Sequence, residues 1–250
     1  MALILNDEER FLAAHITDLQ KQSIKSGVPR FSAFLNEREA VVAARAVKGE
    51  PVFFGGYDGA ARTVCGFFEG TYAEELPKEE LFPVCAVTFS FRKVDKPTHR
   101  DFLGALLALE IKRELVGDIL VAEDYAVVFC HETAEDLIYH VNKVGRIGVN
   151  AEKGLTKPLP EVKTQKIDTT VSSLRLDCIV SAAANISREK SASLIKSGLV
   201  NADFSPCTDT SAVIKENTII SIRGSGRYRL SEICGETRKG RISIKIDRYV

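Results

Sequence analysis

No stretch of 18 consecutive apolar residues occurs in the 250-residue chain, so no segment is long and apolar enough to read as a membrane-spanning helix. The opening MALILNDEER turns acidic within seven residues, which does not fit a secretory leader with its basic-then-apolar order. A cytoplasmic protein with no membrane partner is expected. The six cysteines at 65, 85, 130, 178, 207 and 234 form no CxxC pair and no cluster with histidine. A zinc site or disulfide framework is therefore not expected, and neither a metal nor a cofactor is called for. Also missing is a strand, glycine-rich loop and helix in succession, the unit a nucleotide-binding synthetase needs to hold phosphates.

Net charge is absent too, with 34 basic residues against 34 acidic ones, yet the balance hides a division. Residues 163–250 carry fifteen Lys and Arg against nine Asp and Glu, and the remainder carries nineteen against twenty-five. The C-terminal third is the cationic part, a polarity that orients a protein on RNA with its acidic portion outward or toward a protein partner.

Period and punctuation predict an α+β chain of three small domains. The first, 1–75, has an amphipathic helix with Phe11, Leu12, His15, Ile16 and Leu19 at helical spacing, stopped by Gly27 and Pro29. A second helix follows, capped by Asn36, with Leu35, Val41, Val42 and Ala46 inward, and then two short strands about a glycine turn at Gly55-Gly56-Tyr57. That turn is more readily explained by steric need than by ligand contact. TYAEELPKEE reads as a linker. The second domain, 80–157, runs β-α-β-β-α-β, an order that suits a ferredoxin-like or RNA-recognition-motif-like sheet, although the aromatic stacking sequence of that motif is missing. Thr98, His99 and Asp101 read as a helix start rather than as an acid and base, because no nucleophile accompanies them. No catalytic residue is expected. GLTKPLPEVKTQK leads into the third domain, 170–250.

Here Ser172-Ser173 and Ser187 precede two short helices as candidate caps, and Gly198 ends the second. Ser187, Arg188 and Lys190 crowd one helix start, where exposed amides and the positive dipole end favour phosphate. Arg175 and Lys196 join them on helical geometry. Arg223, Arg227 and Arg229 extend the surface along a strand whose glycines at 224 and 226 allow close backbone approach. The tail RISIKI is expected as a strand with Ile242, Ile244 and Ile246 inward.

These residues resemble the S-four-type, or alpha-L, RNA-binding module. The matching positions are Arg175-Leu176-Asp177, Ile186-Ser187-Arg188, Ala192, Leu194-Ile195-Lys196, Gly198, Val200 and Ile219–Ile222. Asp203 and Asn217-Thr218 depart from the module's usual asparagine and Gly-Asp. Together with THRDFLGALLALEIKRELVGDILV and FFGGYDGAAR, in which Asp58-Gly59 replaces a common proline-glutamate, they resemble the YlmH family over nearly the whole chain. The resemblance implies a monomeric, non-catalytic RNA-binding protein of the large ribosomal subunit. It would contact rRNA and tRNA, with room for a quality-control protein partner, and would support clearance of stalled nascent chains. Two other readings stay open: a pseudouridine-synthase-like enzyme that uses the module for targeting, and a protein adaptor in cell division.

Overall fold

The computed structural model describes residues 5–49, 51–68, 78–160, 164–238 and 240–249, and it divides into two compact units, Met1–Pro160 and Glu161–Val250. In the first unit, α1 (Asp7–Ser26) begins with a reciprocal cap: Asn6 Oδ1 accepts from the Glu9 amide at 2.8 Å, and the Asn6 amide donates to Glu9 Oε2 at 3.1 Å. Gly27 closes it at φ 65°. Ile16 and Leu19 are buried as expected, but Phe11 is 83% exposed and His15 also faces solvent. Phe11 lies five positions before Ile16, outside the apolar stripe that Leu12, Ile16 and Leu19 make on one helix face.

A strand that periodicity missed, β1 (Arg30–Leu35), precedes α2 (Glu37–Ala46), which Asn36 caps with Glu39. Leu35 is buried, as anticipated, though on that strand, and Val42 is joined in the core by Ala43. With β2 (Val52–Phe54) and β3 (Thr63–Phe67), β1 forms an antiparallel sheet in the order β1-β3-β2.

The following elements are β4 (Val84–Ser90), α3 (His99–Ala108), β5 (Val116–Val121), β6 (Tyr125–His131), α4 (Glu132–Tyr139), a small hairpin of β7 (Lys143–Val144) and β8 (Ile147–Gly148), and β9 (Asn150–Lys153). Their sheet runs β5-β6-β4-β9, antiparallel throughout. Phe102 and Leu106 of α3 and Ala134 and Ile138 of α4 share one core with Val87, Phe89, Val128 and Cys130, so both helices cover the same face. Val127 and Phe129 point to the opposite face and are equally buried. Tyr57 stacks on Phe129 at 5.0 Å and donates its hydroxyl to Asp118 at 2.8 Å. Arg62 reaches across to the Val116 and Phe34 carbonyls at 2.9 and 3.1 Å. The Gly-Gly-Tyr turn is thus the joint between the two sheets, with one face of the Tyr57 ring taken up by Phe129.

The expected first linker, 71–80, lies mostly outside the described residues. Much of the second is structured: Thr88 Oγ1 donates to the Gly154 carbonyl at 2.7 Å and accepts from the Thr156 amide at 3.2 Å, and Tyr125 donates to the Pro158 carbonyl at 2.9 Å.

The second unit is a six-stranded antiparallel sheet with two helices. Its strands are β10 (Thr164–Val171), β11 (Val200–Ala202), β12 (Ser205–Pro206), β13 (Ile219–Ile222), β14 (Gly226–Glu236) and β15 (Ile242–Tyr249), in the order β10-β15-β14-β13-β11-β12. The unit therefore starts before residue 170, because β10 pairs with β15 along its full length. α5 (Leu176–Ala184) and α6 (Arg188–Lys196) cover one face, where Ile179, Val180 and Ile195 pack with Ile220, Tyr228, Ile244 and Ile246. Ile242 is only partly buried but touches the same core. Among the described residues of both units, no helix is long and apolar enough to cross a membrane.

Candidate nucleic-acid interface

The helix pair is held by one carboxylate. Asp177 occupies the first turn of α5 with its side chain 7% exposed, and it accepts from Arg175 Nε at 3.1 Å and from Arg188 Nε at 3.1 Å. Its carbonyl accepts from Ser191 Oγ at 2.8 Å, which fastens α6 to α5 a second time. Burial alone would raise the Asp177 pKa, but the hydrogen bonds from the two guanidinium groups outweigh it, and the carboxyl sits below the usual range. Arg175 and Arg188 are accordingly half-exposed members of an internal ion cluster. Arg188 keeps 56% of its side chain in solvent while its Nε is held to the helix pair by the buried Asp177 carboxylate.

A folded pKa below that of the unfolded chain, about 3.9, stabilises the protein above that value and ceases to do so as pH falls through the folded value. Asp177→Ala should cost about 2 kcal/mol at neutral pH, the usual scale of hydrogen bonds to charged groups. The gap between variant and parent should narrow between pH 5 and 3 in urea titrations. A gap that stays constant over that range would remove the ion cluster from the stability of this unit.

The caps are divided. Ser187 Oγ accepts from the Lys190 amide at 3.2 Å and starts α6 as expected. Ser172 and Ser173 do not cap α5; their hydroxyls lie 3.5 and 3.4 Å from Cys178 Sγ. The Leu176 and Asp177 amides donate instead to the Ala212 and Thr210 carbonyls, so a distant loop replaces the side-chain cap. Gly198 takes φ 69° after α6, and Asn217 takes φ 65° before β13. Asp203 accepts from the Ile219 amide at 2.9 Å, which occupies its carboxylate within the turn.

The expected single cationic surface is divided in two. Lys190 and Lys196 project from α6, exposed and without an ion pair among the described residues. Arg223 stands beside the exit of α6, its amide donating to the Leu199 carbonyl at 3.0 Å. It borders an open cleft lined by Gly198, Gly224 and Gly226 and also by Asn201 and Ser221, which stand in one ladder row with Arg227, so the cleft reaches the edge of the other face. Arg227 and Arg229 belong elsewhere. Tyr228 between them is 1% exposed beneath the helices, so its neighbours emerge from the opposite face of the sheet. Arg229 Nη2 donates to the buried Asp247 at 2.7 Å, while its Nε is buried with no partner among the described residues. Two positions apart on one strand, the two arginines share a face; which face depends on where the helices pack.

His99 and Asp101 behave as a helix start. Thr98 Oγ1 accepts from the Asp101 amide at 3.4 Å and the Thr98 amide donates to Asp101 Oδ2 at 2.7 Å, which commits that carboxylate to capping.

These features define a two-unit α+β protein whose C-terminal unit presents cations on a helix pair laid over a sheet. Residues 77–157 match the family model described as "Putative RNA-binding domain in YlmH". The chain is 34% identical over 229 residues to "Ribosome-associated protein quality control protein P2" of Bacillus subtilis (strain 168), covering 88% of this chain and 87% of that one. The chain belongs to the YlmH family. In fold it is similar to the solved "Cell division protein ylmH from Streptococcus pneumoniae", with a TM-score of 0.52 and 19% identity, over 63% of this chain and 96% of that one.

Proposed function

We propose that this chain is a cytoplasmic, monomeric, non-catalytic RNA-binding protein of the large ribosomal subunit, where it contacts rRNA and tRNA in the clearance of stalled nascent chains. The observation that carries this reading is the start of α6, where a Ser187 cap, an exposed helix terminus, Arg188 and Lys190 converge within one turn. The family's description as RNA-binding and the Bacillus relative's name point the same way. An S-four-type third domain agrees with the helix pair on its sheet, and an RNA-recognition-motif-like middle domain agrees with the order β5-β6-β4-β9. Asp177, the residue a pseudouridine-synthase-like reaction would need open to substrate, is buried between two arginines, which favours the non-catalytic reading.

If about five phosphates are neutralised, the logarithm of affinity for purified large subunits falls against the logarithm of salt with a slope of about −3.5 to −4.5. Lys190→Glu with Lys196→Glu should flatten that slope by about two units while circular dichroism stays unchanged, since both side chains are exposed. Arg188 is left in place because of its pairing with Asp177. A folded double variant with the parental slope would take α6 out of the interface; no binding by the parent at any salt would overturn the RNA reading as a whole.

A further inference from the structure

The face of the C-terminal sheet turned away from the helices carries a platform that the cationic helix pair does not explain. Asp203 and Phe204 form the tip of the β11–β12 hairpin with φ of 44° and 61°. Two successive left-handed residues make the hairpin turn that Asn-Gly or Asp-Gly satisfies best, and phenylalanine is strained in the second position. The turn sets the Phe204 ring 5.8 Å from the Arg227 guanidinium carbon, and the Tyr249 ring of β15 lies 5.9 Å from the same carbon. Ser221 is directly opposite Arg227 in the ladder, and Asn201 is directly opposite Ser221. Polar side chains able to donate and accept thus stand in one row with a planar cation flanked by two rings. One strand further, Lys166 is exposed and without an ion pair among the described residues.

We propose that this face is a second RNA site, one that takes an unpaired nucleotide of single-stranded RNA. The base stacks against the cluster of the Arg227 guanidinium with the Phe204 and Tyr249 rings, Asn201 and Ser221 contact its edge, and Lys166 contacts the adjoining phosphate. A planar cation among rings suits the π face of any base, whereas a duplex hides those faces and offers only backbone to lysines such as Lys190 and Lys196. The site rests on the RNA-binding reading above, but adds strand state as a requirement and a face of the protein that lies across the sheet from α6.

The test is binding of the full chain to an eight-nucleotide single-stranded RNA carrying one 2-aminopurine, and to a duplex of equal length, at fixed salt. Phe204→Gly deletes the ring and relieves the turn, so its melting temperature should equal or exceed that of the parent. Its affinity for the single strand should fall about tenfold, with loss of the 2-aminopurine quenching, and its duplex affinity should not change. Arg227→Lys, which keeps the charge and removes the plane, should give the same selective loss. Parental single-strand affinity in a folded Phe204→Gly variant would overturn the platform. Equal losses on single strand and duplex would overturn it as well, by showing a general charge effect. A parent that binds neither RNA fails the underlying function instead, a result distinct from both.

Discussion

Deleting residues 241–250 should abolish the cooperative unfolding transition of the C-terminal unit. β15 lies inside the sheet, between β10 and β14, and pairs with β10 at eight positions from Thr164↔Tyr249 to Val171↔Ile242. Its removal leaves β10 without a partner among the described residues and exposes one edge of β14. Ile244 and Ile246, at 0% and 1% exposure, sit in the core beneath α5 and α6, and each contributes roughly 1.5 to 3 kcal/mol by burial. Two such side chains together with the ladder on both sides approach the lower end of a domain's whole stability, about 5 kcal/mol. Ile244→Val, which removes one methylene and leaves the strand in place, should cost only about 1 kcal/mol. Calorimetry of the parent and both variants separates these outcomes. An unchanged transition for the truncated chain would make the tail an appendage.

Gly56→Ala is expected to unsettle the first unit by about 3 kcal/mol or more. Gly56 stands at φ 101°, a region that side chains rarely tolerate, and a Cβ there would overlap Cδ1 and Cε1 of Phe129. Phe129 has nowhere to go: it is 2% exposed, and Tyr57 is stacked against it. Backbone strain of about 1 to 3 kcal/mol and overpacking of about 1 to 3 kcal/mol act together at this joint. Gly59→Ala is the matched control, because Gly59 also has positive φ, at 82°, but nothing lies within 4 Å of its added carbon. It should show the strain alone. Equal melting temperatures for the two variants would show that the Phe129 ring yields and that the joint is soft.

The same turn marks a limit of what local pattern conveys. Glycine was legible as a steric requirement at Gly55-Gly56-Tyr57, but that the requirement is a phenylalanine more than seventy residues away was not, since no periodicity links them. Asn36, Thr98 and Ser187 were legible as caps because a cap is completed within three residues of itself. Ser172 and Ser173 failed as caps because the amides of α5 found carbonyls at Thr210 and Ala212, contacts that exist only after the chain has folded back.

By itself the sequence determined the order of the helices and most of the strands, the cationic bias of the last third, the inward side of the isoleucine tail, and which residues open α6. Each depends on spacings of two to four residues or on a count of charges. β1, β10 and β12 escaped because their positions in a sheet are set by partners far along the chain. Only the tertiary structure decided that Arg188 pairs with Asp177 and that Arg227 and Arg229 leave by the face opposite the helices. A buried carboxylate captures the nearest guanidinium whatever its sequence distance, and a strand's two faces acquire different meanings only when helices cover one of them.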